Sequence, residues 1–159
     1  MHNVNFISIP FKIEAQSGLS EADGIAKFSV AGIILEFELK YLGLFGTGVK
    51  EVRLPLEEIL DVAFKKGMFR YGTKIEIRMT SYLKLSAVPN KDGKIILKIP
   101  RDQHEQAREA VEMLVRASAQ NERNLPPPQT PVARLFESNE AADDPLRTSQ
   151  LESDEVDKD

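Results

Sequence analysis

Apolar and polar residues alternate with a period of two in a series of short runs between residues 24 and 99, and the period then changes to about 3.6 as far as residue 120. The sharpest run is Leu35-Glu36-Phe37-Glu38-Leu39-Lys40-Tyr41, which turns Leu35, Phe37, Leu39 and Tyr41 to one face and Glu36, Glu38 and Lys40 to the other. Residues 74–79 and 94–99 repeat the pattern, and weaker copies fall at 25–30, 51–56, 59–64 and 84–88. Charges held to one face mark antiparallel sheet wetted on one side rather than buried parallel sheet. Seven strands are therefore predicted. A further apolar run, Phe6, Ile7, Ile9, Phe11 and Ile13, is expected to add an extra strand at a sheet edge.

The breaks between runs agree with consecutive hairpins. Ala31-Gly32 separates the first pair, residues 43–48 read as a glycine-rich connection, Lys66-Gly67 and Tyr71-Gly72 bracket another, and Asn90-Lys91-Asp92-Gly93 is a strong turn signal. None of these breaks is long enough for a crossover helix. Seven strands of this length close into a barrel or pack as two sheets. The last element is a helix over 102–120, with Ala107, Ala110, Val111, Leu114, Val115 and Ser118 on one stripe. Asp102 and Glu105 stand at capping-box spacing behind Pro100, and the stripe is expected to plug one open end of the barrel.

Hairpins that end in a strand, a proline and one helix, as in Lys94-Ile95-Ile96-Leu97-Lys98-Ile99-Pro100 and the helix after it, resemble the pleckstrin-homology-like (PH-like) superfamily, including its bacterial and GRAM-like variants. The corner Val52-Arg53-Leu54-Pro55-Leu56-Glu57-Glu58-Ile59 is similar to a recurring piece of those variants. The resemblance covers residues 24–120 and rests on topology, not on chemical motifs. It implies a mainly β fold, a seven-stranded antiparallel barrel capped by one C-terminal helix, and a frame that binds rather than catalyses. It also implies a groove between a sheet edge and the final helix that accepts an extended peptide. The phosphoinositide sites of the family use basic residues beside the first hairpin loop. Here that loop, Val30-Ala31-Gly32-Ile33, has only Lys27 nearby before Lys40, so specific phosphoinositide recognition is not expected.

Length allows one domain, placed at residues 1–123 with its core at 24–120, followed by a tail. Zero cysteine excludes disulfides, thiolate nucleophiles and thiolate metal sites. With no leader pattern and no run of about 18 apolar residues, a cytoplasmic protein is expected. Charge is uneven: 18 Lys/Arg face 16 Asp/Glu through residue 124, whereas residues 137–159 carry 9 acids against Arg147 and Lys158. Pro126, Pro127, Pro128 and Pro131 open this stretch, so 124–159 reads as a disordered tail, proline-rich and then acidic.

Candidate chemistry is sparse. His2 lies at a terminus and His104 in the first helical turn, where a solvated surface role is expected. Glu57, Glu58 and Asp61 match no metal-loop spacing, and Gly43, Gly46 and Gly48 precede a strand where a phosphate cradle needs a helix N-terminus. No catalytic residue, cofactor or metal is expected. Dispersed basic residues, a pI near 5.3 and the absence of an aromatic platform among clustered cations exclude nucleic acid as a partner.

Three segments suggest surfaces instead. Lys65, Lys66, Met68, Phe69, Arg70, Tyr71 and Lys74 form a basic and aromatic loop, suited either to an anionic membrane or partner or, if Met68 and Phe69 fold inward, to the core. Leu42, Leu44 and Phe45 place large apolar side chains in a glycine-rich loop, where core packing, a contact with a second copy or a membrane would cover them. Val132, Arg134, Leu135 and Phe136 form a short apolar peptide in the polar tail, a docking segment or part of a plain linker. A protein or peptide partner is the expected role, with weak peripheral membrane association second and homo-oligomerisation open.

Overall fold

Alternation does build a sheet of seven strands, though not from the seven runs expected. In this computed structural model, which describes residues 5–15, 18–42, 44–67 and 72–125, the strands are β1 (Ile7–Glu14), β2 (Ser20–Ser29), β3 (Gly32–Tyr41), β4 (Leu44–Pro55), β5 (Ile59–Lys65), β6 (Lys74–Met79) and β7 (Lys94–Lys98). All pairings are antiparallel, in the order β4-β3-β2-β1-β7-β6-β5. Apart from Asn124 and Leu125, these residues belong to a compact unit spanning Met1–Arg123.

Two assignments change places. The N-terminal run is no edge strand: β1 pairs with β2 from Ile7↔Phe28 to Glu14↔Glu21 and meets β7 at Lys12↔Lys98, in the middle of the sheet. Its Ile9, Phe11 and Ile13 are buried in the core. Residues 84–88, expected to be a strand, instead belong largely to a short helix, α1 (Tyr82–Ser86), whose N-cap Ser81 accepts from the Lys84 amide. Five residues are too few for alternation to outvote a capping serine. Residues 44–48 likewise join β4 rather than forming a loop, through register shifts opposite Glu38, Lys40 and Tyr41. The Asn90–Gly93 turn forms as expected. Asp92 and Gly93 both take positive φ, and Lys91 and Lys94 exchange backbone bonds at 2.9 and 3.0 Å.

The final helix, α2 (His104–Asn124), is entered through a 3₁₀ turn at Arg101–Gln103. The N-cap of this turn is Pro100, with no side-chain cap bond, and Asp102 and Glu105 do not make the expected capping-box bonds. Pro100 fixes the extended entry, Asp102 accepts from Gln103 Nε2, and Glu105 pairs with Arg108 at 2.9 Å instead. The buried stripe is Ala107, Ala110, Val111, Leu114 and Ala117, whereas Val115, placed on it by the pattern, is 52% exposed.

One helix about 10 Å across does not cover a flat seven-stranded sheet about 30 Å wide. Yet the inner faces of all seven strands join α2 in a single core, with Phe28, Phe37, Ile75, Ile77 and Leu97 nearly inaccessible. The sheet therefore curls over its own inner face. Consistent with this, α1, from the connection between β6 and β7, packs beside β4 at the opposite sheet edge. Curling stops short of closure: β4 and β5 do not pair with each other among the described residues, so the sheet is open where a closed barrel was expected.

The outer face carries cross-strand ion pairs. Asp23 bridges Lys40 at 2.7 Å and Lys12 at 3.6 Å, Lys27 meets Glu36 at 2.6 Å, and Glu76 lies between Lys65 at 2.9 Å and Lys94 at 3.8 Å. The hydrogen bond from Lys40 lowers the pKa of Asp23 below its ordinary 3.8, and that from Lys65 lowers Glu76 below its ordinary 4.5. Carboxyls depressed in the folded chain contribute stability that is complete above the unfolded value and is lost as pH falls through the folded one. A melting-temperature series is thus expected to be flat from pH 7 to about 5 and to fall below it, with Glu76→Gln shallower in the acid limb. An acid limb unchanged by Glu76→Gln would remove that pair from the account.

Candidate peptide-binding groove

The groove begins with a register slip. Strict alternation from Ile59 would send Asp61 inward and Val62 outward. The ladder bulges instead: Ile59 pairs with Met79 and Asp61 with Arg78, leaving Leu60 without a partner in the ladder and returning Val62 to the core. Ile59 turns into the core, while Leu60 stays 61% exposed. Across from it, Leu114 is buried at 1% exposure and its neighbour Val115 is open. Between them lies a groove of about 240 Å³, floored by Leu56, Ile59, Val62 and Leu114 and rimmed by Leu60 and Val115.

β5 ends the strand order, so among the described residues its outer edge carries no ladder. An unpaired strand edge beside an apolar trough offers backbone bonding and side-chain pockets together. The charged residues of the lining, Asp61 and Glu122, are both acidic. Arg78 meets Asp61 at 3.5 Å, with both side chains about half exposed, so the pair is weak and water-screened.

Of the loop expected to carry a membrane or partner contact, Met68, Phe69, Arg70 and Tyr71 lie outside the described residues. Lys65 is engaged by Glu76, Lys74 also acts on that carboxylate, and Lys66 lines a cavity with Thr73, Arg101 and His104. Leu42 and Leu44 are 72% and 64% exposed at the start of β4, so core packing does not cover them. Phe45 lies in β4, its side chain outside the described residues. Val132, Arg134, Leu135 and Phe136, with the rest of 126–159, also lie outside the described residues.

His104 is not the solvated residue expected. Its Nδ1 is hydrogen-bonded to the Thr73 hydroxyl, its ring meets Phe64 edge-on at 5.1 Å, and Glu105 stands 4.0 Å from Nε2. Thr73 is 1% exposed, so this bond is held out of bulk water at the wall of the cavity that Lys66 also lines. The contact fastens the start of α2 to β6. Among the described residues no group of acids and histidines is placed to hold a metal, and no helix is long and apolar enough to cross a membrane. No family model, curated protein or solved structure matches the chain.

The resemblance implied a groove between a sheet edge and the last helix, but the residues that line it escaped the sequence pattern. Ile59-Leu60 does not announce the bulge, because Ile33-Ile34 and Ile95-Ile96 are also adjacent apolar pairs and sit in regular ladders. Val115 sits at the border of the helical stripe, where the choice between floor and rim depends on how α2 is rotated against the sheet.

Proposed function

We propose that this protein is a non-catalytic interaction module on a PH-like frame. It captures an extended segment of a protein partner as an added strand on β5, with alternate side chains lying in the trough against α2. The single observation that carries this reading is the open β5 edge running beside an apolar groove. Asp61 and Glu122 on the rim favour a segment that is apolar at alternate positions and carries a lysine or arginine.

Panning a nonapeptide display library against the full chain tests this. Enriched sequences are expected to alternate large apolar residues and to contain one basic residue. Leu60→Asp, at a residue 61% exposed, is expected to lose these binders at least tenfold while leaving the melting temperature unchanged. No enrichment, or enrichment indifferent to Leu60→Asp, would overturn the reading.

A further inference from the structure

We propose that the opposite sheet edge is a self-association edge, where two copies of the chain pair β4 with β4, antiparallel, about a two-fold axis at Val52. The inference is independent of the peptide groove, which lies at the other end of the strand order.

Backbone phase comes first. Pro55 stands opposite Gly32 and has no amide hydrogen, so this pair cannot exchange both ladder bonds. By alternation along an antiparallel strand, Arg53, Glu51 and Val49 turn their N–H and C=O groups away from β3, toward the open edge. A second strand can therefore bond there.

Charge then selects the register. Strands that continue one sheet must oppose residues of the same face, so the axis passes through a residue and not between two. An axis at Lys50 sets lysine against lysine, at Glu51 glutamate against glutamate, and at Arg53 arginine against arginine; like charges directly opposite are destabilising. An axis at Val49 runs the pairing into the bulged start of β4. At Val52, Glu51 of each copy faces Arg53 of the other, twice, and Val49 faces Pro55, whose carbonyl accepts the Val49 amide. Within one copy Glu51 and Arg53 already pair at 2.7 Å on the surface, both accessible and free to exchange partners. Lys50, exposed on the inner face, guards against its own register.

Apolar surface points to the same edge. Tyr82, Leu83 and Val49, at 80%, 80% and 79%, are the most exposed large apolar side chains among the described residues. Val49 lies on β4, and the other two lie on α1, which packs beside it. Symmetric pairing covers all three on both copies at once.

Sedimentation velocity on the full chain tests the register by charge exchange. The wild type is expected to dimerise with increasing concentration. Glu51→Arg and Arg53→Glu are each expected to weaken the dimer at least tenfold, and the double variant to restore it to within about threefold. Unchanged far-ultraviolet circular dichroism in all three confirms folded protein, and Leu83→Lys, remote from the ladder bonds, is expected to weaken the dimer as well. A wild type monomeric up to about 200 µM, or a double variant no better than the singles, would overturn the proposal.

Discussion

Gly24→Val is expected to abolish the folded state, and Gly24→Ala to remove about 3 kcal/mol or more of stability, at the upper end of what overpacking costs. Gly24 stands between Phe11 on β1 and Phe37 on β3, in the stretch of β2 where the sheet turns over its own core. A Cβ there would lie 2.0 Å from the Glu36 carbonyl oxygen and 2.7 Å from both Cα and Cβ of Phe37. Two of these three atoms are backbone, so no rotamer change relieves the clash, and β2 and β3 would have to part along a ladder that runs from Ser20↔Tyr41 to Ser29↔Gly32. Urea unfolding measures the alanine variant, and soluble expression with circular dichroism measures the valine variant. Alanine within about 1 kcal/mol of wild type would mean that the strands do not approach this closely.

Most strands were legible because the charges keep to a single face in β3, β6 and β7, even where Ile34 and Ile96 share that face. What sequence left unread depends on contacts distant in the chain. The position of β1 between β2 and β7 cannot be seen in Ile9, Phe11 and Ile13 themselves, since any alternating strand looks alike at an edge or a centre; only the pairing with β7 makes it central. Ser81 caps α1 at a place where Lys84 to Val88 offers two turns of weak alternation, and local hydrogen bonding prevailed there. His104 reads as a surface residue until β6 brings Thr73 to its Nδ1. Glycine spacing at 46 and 48 suggested a loop, yet glycine is what lets β4 begin with a bulge and still pair with β3.

The two sheet edges now have separate physical characters. β5 is short, bulged and bordered by an apolar trough, features suited to a flexible ligand strand. β4 is longer, and its Glu51 and Arg53 are the charges that meet in the proposed self-pairing. Both arise because the sheet curls without closing. A fully closed ladder would satisfy the backbone groups that the proposed partners are to bind.

That dependence makes Leu114→Ala the most informative core substitution. Leu114 is 1% exposed and forms both part of the core and the floor of the groove, where α2 rests against Ile59 and Val62 of β5. Truncating a leucine buried this fully removes its transfer free energy and leaves a void that neighbours fill only in part, a loss of about 3 kcal/mol. The other buried helix residues, Ala107, Ala110, Val111 and Ala117, are mostly too small to fill the space, and Met113 packs on the core only partly buried. Hydrogen exchange is expected to rise first in the C-terminal half of α2, because the start of the helix is still fastened by His104 to Thr73 and Phe64. Val115→Ala, one residue along and half exposed, should cost well under 1 kcal/mol while still weakening peptide capture. If Leu114→Ala lost less than about 1 kcal/mol, α2 would be a cover over a sheet that is stable alone, and the groove between them would be too loosely held to select a ligand.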